Sequence, residues 1–367
     1  MYTQSELDEA VAAGALSAQA AAALRAHVET QRTTSVVDEE QFRLLSGFND
    51  IFVSIAAAIL LMAVGWIGQR AGEAIGWSIQ PEGPSPLAPL AIAVVAWALA
   101  LYFTARRRMA LPSILLLLAF IGAVFATAMF SGVIAIGTEA VDHSSQLAGS
   151  IAAVAALIAS LAAWLHWRRF HVPITIAAGT AAASAIVVGL LVATFGDIDR
   201  IRDTVLAFVL LLGVGAFLFA MWWDSSDRAR MTRRSDVAFW LHLLAAPMIV
   251  HPVFTLLGLN DGNASIGEGV VVIVLYVALG ITALAIDRRA LLVSALAYVL
   301  WAMSELFKQF GAVELNIAIT GLVIGSALLL LSAFWHQARR GIVERLPLAL
   351  QERLPLADRA VSPLPAA

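Results

Sequence analysis

The sequence contains no cysteine, and Lys308 is its only lysine among 23 basic residues. Without cysteine, disulfide bonds, thiolate metal sites and cysteine nucleophiles are all excluded. The formal net charge is -3 and no lysine tract is present, which argues against a nucleic-acid partner.

Charged residues are also scarce, at 13% of 367 residues, whereas 60% are hydrophobic and the mean hydropathy is +0.85. A membrane-spanning helix needs about 20 mostly apolar residues, and ten segments meet this requirement. They cover residues 51–68, 86–105, 111–136, 147–165, 172–195, 203–223, 236–258, 269–286, 290–307 and 313–334. The sequence therefore predicts an all-α, polytopic membrane helical bundle of about ten transmembrane helices.

Arginine is distributed unevenly between the connections of these segments. Alternate connections carry 13 arginines, while the other connections carry four basic residues and many acidic ones. The arginine-rich positions are 106–108, 168–169, 228–234, 288–289 and 339–340. Because arginine accumulates on the cytoplasmic side of membrane proteins, both the N-terminus and the C-terminus are expected in the cytoplasm. His166 and His171 flank one of these clusters, where contact with anionic headgroups is expected.

Composition divides the chain into three parts. Residues 1–46 are predicted to form a cytoplasmic helical hairpin and an interfacial helix, with Gly14 ending one helix and Ser17 capping the next. Residues 47–336 form the transmembrane bundle. Residues 337–367 form a cytoplasmic tail with an eight-residue repeat, in which Pro347 and Pro355 prevent one continuous helix. The hairpin is too small to be stable alone, so it is expected to dock on the bundle, a second copy or a protein partner.

Few polar or ionisable side chains stand out within or next to the predicted spans, and five of them are the candidates for a cavity, a proton path or ligand binding. They are His242, His251, Glu305, Lys308 and Asn316. Nine residues separate the two histidines, which places them on opposite faces of a straight helix and argues against a shared metal site. An interhelical hydrogen bond is the structural alternative for either histidine. Glu305 and Lys308 lie one helical turn apart, where an ion pair at the interface is the alternative.

No familiar catalytic signature is present. The sequence lacks a P-loop, H-E-x-x-H, G-x-S-x-G, a dinucleotide-binding glycine motif and the kinase motifs. The chain is therefore not expected to be an enzyme, and no cofactor or metal is expected.

Three stretches carry a resemblance to known proteins. These are LDEAVAAGALSAQAAAALRAHV at residues 7–28, FRLLSGFNDIFVSIAAAILL at 42–61, and the exit FWHQARR at 334–340, together with the repeated arginine-turn hairpins. The chain resembles a group of uncharacterised bacterial inner-membrane proteins. This resemblance implies the architecture and a bacterial inner membrane, and it implies no activity. Ten spans with both ends inside are also typical of drug and metabolite exporters, but no five-plus-five duplication is visible.

Two functions remain open at this point. The first is the binding or transport of a small solute, an ion or a lipid through the bundle. The second is a non-transporting scaffold, assembly or sensor protein that acts through partners. Transporters have helices broken at corresponding places in two halves, whereas only the segment 236–258, with Pro247 and Pro252 in its interior, is expected to be locally broken.

Overall fold

A computed structural model describes residues 11–14, 16–24, 48–81, 83–228, 230, 232–258, 266–289, 292, 296, 316–352 and 354–355. The chain divides into two compact units, one of residues 1–43 and 359–367 and one of residues 44–358. The helices of the second unit are α1 (Phe48–Ala74), α2 (Leu87–Phe103), α3 (Ala110–Ile136), α4 (Thr138–Asp142), α5 (Ser145–Phe170), α6 (Ile174–Phe195), α7 (Ile198–Ser225), α8 (Arg233–Leu256), α9 (Ile266–Ile286), α10 (Asn316–Ala333), α11 (Trp335–Val343) and α12 (Leu348–Gln351). The described part of the chain contains helices and no strand.

The described residues of the first unit contain two short helical stretches. Gly14 has φ +71° and its N–H donates to the carbonyl of Val11 at 3.1 Å. The hydroxyl of Ser17 then accepts from the N–H of Ala20 at 3.1 Å, where the helical residues 18–24 begin. Both caps are those that the sequence predicts. The expected interfacial helix lies outside the described residues.

Long apolar helices dominate the second unit. Among the described residues, six helices are long and apolar enough to cross a membrane. They are Phe48–Ala74, Ala110–Ile136, Ser145–Phe170, Ile174–Phe195, Asp199–Ser225 and Arg233–Leu256. α2, α9 and α10 coincide with three further predicted segments, and the segment 290–307 lies outside the description except for Leu292 and Leu296. Several spans are therefore established, while the count of ten stays a prediction.

Four connections that carry arginine share one backbone feature, a residue with a positive φ directly after or close to the end of the preceding helix. Arg108, His171, Arg230 and Asp287 follow α2, α5, α7 and α9, and each has a φ between 53° and 57°. This left-handed conformation costs about 1–2 kcal/mol in a residue with a side chain. The connections at the opposite end, hereafter the acidic end, use glycine at such positions, including Gly137 and Gly196. The end that carries the arginine connections is hereafter the basic end.

Small residues let the helices approach closely. A Cβ atom on Gly149 of α5 would lie 2.5 Å from the backbone nitrogen of Ala193, and one on Gly189 of α6 would lie 2.7 Å from that of Ala153. The buried face of α5 continues with alanine at positions 156, 159 and 163. Close backbone contact of this kind is typical of helices that associate within lipid.

Large apolar side chains cover the outside of the bundle. Phe52, Met62, Leu161 and Leu218 are each more than half exposed. Exposure of so much apolar surface to water is unfavourable, whereas contact of the same surface with lipid tails is not. The chain is therefore a multi-pass integral membrane protein built from α-helices.

Candidate functional site

A carboxylate lies buried near the end of α7. Asp224 is 1% exposed and continues a stripe of buried residues, Ala216 and Ala220, at intervals of four residues. Residues four apart share one face of a helix, so this stripe directs the carboxylate toward α8 instead of lipid.

Two side chains from different parts of the chain meet this carboxylate. The Nε2 atom of His242, on α8, lies 3.0 Å from Oδ2 of Asp224. Arg288, directly after α9, donates from Nε to the same oxygen at 3.2 Å and from Nη2 to Oδ1. Its Nη2 also donates to the carbonyl of Ser235 at 3.0 Å. The exposures of His242 and Arg288 are 0% and 2%, so the triad is closed to solvent.

The triad balances its charge internally. A carboxylate and a guanidinium cancel, and the histidine fits as a neutral ring whose Nε2–H donates to Asp224. Its Nδ1 is buried and has no hydrogen-bond partner in the described part of the chain. A second proton on this ring would add an uncompensated charge to a site without water, which is unfavourable.

A second ion pair is formed by Asp287, the residue before Arg288. Nη1 of Arg230 lies 2.9 Å from Oδ2 of Asp287, and Nη2 of Arg230 donates to the carbonyls of Ile286 and Asp287 at 3.0 Å each. Burial alone raises the pKa of Asp287, but the charge of Arg230, the indole of Trp335 and the charge of Arg339 outweigh it. The pKa of Asp287 therefore lies below its ordinary value.

The same carboxylate binds the segment after α10. The indole Nε1 of Trp335 donates to Oδ1 of Asp287 at 2.8 Å, and Nε of Arg339 lies 3.8 Å from that oxygen. Arg339 in turn donates to the carbonyl of Pro355 at 2.7 Å. Residues 335–355, hereafter the C-terminal segment, are thereby connected to the α9 end through Asp287.

Arg228 binds the far end of this segment through hydrogen bonds. Arg228, after α7, donates from Nε to the carbonyl of Leu354 at 2.8 Å and from Nη2 to the carbonyl of Gln351 at 3.1 Å. The side chains of Val343 and Leu354 are buried in one apolar cluster with Leu284 and Ile286. The tail predicted at residues 337–367 is thus, over the described residues 337–352 and 354–355, docked by arginine and by apolar packing.

The five predicted site residues do not converge on one place among the described residues. His242 belongs to the triad. His251 lies nine residues further along α8 and is exposed, in agreement with the expectation that the two histidines lie on opposite faces of the helix. Asn316 begins α10, and its side chain lies outside the description. Glu305 and Lys308 also lie outside the described residues. Of these five, His242 alone is placed in the network described above.

Sequence reasoning missed Asp224 and gave Arg288 only a role in orientation. The available signal was the four-residue spacing of Ala216, Ala220 and Asp224, which predicts a core-facing carboxylate that needs a partner. The expectation that His166 contacts headgroups is wrong. It is 1% exposed, packs on Trp97, Phe120 and Phe170, and lies 3.3 Å from the Thr175 hydroxyl, because it continues the buried alanine face of α5.

No protein-family model matches the chain, and no curated protein or solved structure matches it. The resemblance to uncharacterised bacterial inner-membrane proteins therefore stays a hypothesis.

Proposed function

We propose that the protein is a multi-pass component of a bacterial inner membrane, with about ten spans and both termini in the cytoplasm. The six apolar helices support membrane insertion, and the alternation of arginine-rich connections supports the orientation. The resemblance of residues 7–28 and 42–61 supports the bacterial location.

Within that membrane the protein acts as a non-transporting sensor or assembly component that works through partners. The observation that carries this proposal is that the buried charges at the basic end form ion pairs and also hold the C-terminal segment. Asp224, Arg288, Arg230 and Asp287 pair with one another, and Asp287 also holds the C-terminal segment. Paired charges that hold a terminal segment give the bundle a means to present or withdraw a partner-binding element.

The proposal includes no catalysis and no nucleic-acid partner. In the described ranges, no group of three or more histidine and acidic residues could hold a metal ion. Asp224 and His242 are closed to solvent and are engaged with each other. A protein partner would contact the N-terminal hairpin or the exposed face of the C-terminal segment.

The test uses the absence of native cysteine, which makes any introduced thiol unique. Ala156 and Ala246 are both fully buried in alanine-rich packing and are suitable positions for Ala→Cys variants. In proteoliposomes, a small charged thiol reagent is expected to leave both cysteines unmodified and to label a control cysteine at the exposed Glu352. Labelling of either core cysteine would reveal a water-filled path and would overturn the non-transporting proposal.

Binding of a small molecule or lipid is a second candidate function, and a specific feature favours it. A cleft of about 150 Å³ is lined by Tyr276 of α9, by residues of α10 and α11, and by Arg289, Leu292 and Leu296, which follow α9. Ligand sites of membrane bundles commonly lie between helices. Ligand binding and the C-terminal segment can belong to the same sensor.

A further inference from the structure

The cleft beside α9 combines apolar walls with a few polar groups. Its apolar lining is Leu292, Leu296, Leu331 and Trp335, and its polar lining is Tyr276, Arg289 and Ser332. Its volume of about 150 Å³ is several times what a single water molecule needs, and the cleft is partly open. It therefore has room for one small polar group with an adjoining stretch of hydrocarbon, while the rest of a larger molecule stays outside.

Arg289 differs from the arginine beside it. Arg288 and Arg230 each face a carboxylate. The guanidinium of Arg289 instead lies over the ring of Trp335, 4.9 Å from its centroid, and it forms no ion pair within the described part of the chain. This leaves an uncompensated positive charge at the cleft, stacked on an aromatic ring that fixes its position.

Tyr276 supplies a second polar group. Its hydroxyl is buried and has no hydrogen-bond partner among the described residues. A buried donor without a partner is unfavourable. An oxygen atom of a bound molecule would remove this penalty.

We propose that this cleft binds an anionic phospholipid of the surrounding bilayer. The phosphate lies on Arg289, a headgroup or ester oxygen accepts from the hydroxyl of Tyr276, and an acyl chain packs against Leu292, Leu296 and Leu331. The position fits a lipid, because Arg289 follows the end of α9 at the basic end, where headgroups meet the protein. This inference rests on the second candidate function given above and deepens it, because it names an anionic phospholipid as the ligand of the cleft.

The experiment measures lipid binding to the full-length protein by native mass spectrometry. Phosphatidylglycerol and phosphatidylcholine are titrated against the wild-type protein and against Arg289→Ala and Tyr276→Phe. Arg168→Ala is the matched control, because Arg168 also lies over a tryptophan, at 5.0 Å from the ring of Trp164, but away from the cleft. The affinity for phosphatidylglycerol is expected to fall about tenfold in Arg289→Ala, as for loss of one charge-assisted contact. A smaller loss is expected in Tyr276→Phe and none in Arg168→Ala.

Three results would overturn the proposal. They are equal binding of the two lipids by the wild-type protein, equal losses in Arg289→Ala and Arg168→Ala, and thermal stabilisation by inorganic phosphate as large as that by phosphatidylglycerol. If Arg289→Ala does not fold, Leu331→Trp fills the cleft while Arg289 is kept. Reduced phosphatidylglycerol binding by that variant supports the site, and unchanged binding overturns it.

Discussion

Arg288 and Asp224 form an ion pair although 64 residues separate them in the sequence, and both are almost completely withdrawn from the surface. The pair connects the end of α7 with the end of α9, and His242 adds α8 to the same contact. Three helices are thereby joined at the basic end by buried charge.

The first prediction concerns removal of the shared carboxylate. Asp224→Asn leaves Arg288 buried without a counter-charge, and breaking a buried pair from one side is unfavourable by about 3–5 kcal/mol. We expect a clear fall in the melting temperature of the detergent-solubilised protein. Asp203→Asn, an exposed carboxylate on the same helix, is the control and should melt near the wild-type temperature. Equal melting of the two variants would show that the pair contributes no stability.

The second prediction separates hydrogen bonding from packing at His242. Gln retains an N–H that can reach Asp224, so His242→Gln should stay within about 1 kcal/mol of the wild-type stability. His242→Leu removes a donor from a buried carboxylate and should lose about 1.5–3 kcal/mol. Thermal unfolding of both variants measures the difference. If the leucine variant is at least as stable as the glutamine variant, packing alone accounts for the histidine.

These predictions rest on residues that the sequence revealed only in part. Apolar composition and segment length were sufficient to locate α1, α3 and α5 to α8, because a membrane span needs a long apolar run whatever its neighbours are. They did not reveal the triad, because Asp224 and Arg288 lie where a span meets a connection. At such positions a solvated charge and a buried charge look the same in sequence, and the partner that decides between them is distant along the chain.

The docking of the C-terminal segment could not be predicted from the sequence for a related reason. Pro347 correctly indicates that no single helix continues through the described residues 337–352, because α11 ends at Val343 and α12 begins at Leu348. However, the contacts of Arg228 are with the backbone carbonyls of Gln351 and Leu354. Every residue has a backbone carbonyl that can accept such a hydrogen bond. The amino-acid sequence therefore contains no pattern that predicts this kind of docking.

The third prediction is a pH dependence that arises from Asp287. Its pKa in the folded protein lies below the ordinary value of 3.8. A lowered carboxyl pKa stabilises the fold at pH values above the unfolded pKa, and that contribution disappears as the pH falls through the folded pKa. Wild-type protein should therefore melt above Asp287→Asn at pH 7, and the gap should narrow as the pH falls below about 4. A gap that stays constant or widens down to pH 3 would contradict the assigned role.

The fourth prediction concerns topology. If the span count is even and the arginine connections face the cytoplasm, a fluorescent reporter fused at residue 46 and one fused after Ala367 should both be active inside the cell. A periplasm-dependent phosphatase at the same two positions should be inactive. An external signal from one fusion alone would contradict the even count, and external signals from both would contradict the orientation.

We infer that the buried charges at the basic end hold the C-terminal segment, and thiol labelling of Leu354→Cys shows whether they do. Leu354 is 6% exposed, while Glu352, two residues earlier, is exposed and provides the matched Glu352→Cys control. In full-length protein in nanodiscs, maleimide should modify the cysteine at 354 at least about tenfold more slowly than the one at 352, because slow labelling requires local opening. Adding Asp287→Asn or Arg228→Ala should bring the two rates together, whereas adding Asp142→Asn, which alters an exposed carboxylate at the acidic end, should not. Equal rates at 352 and 354 without these substitutions, or slow labelling at 354 that persists in both charge variants, would contradict the claim.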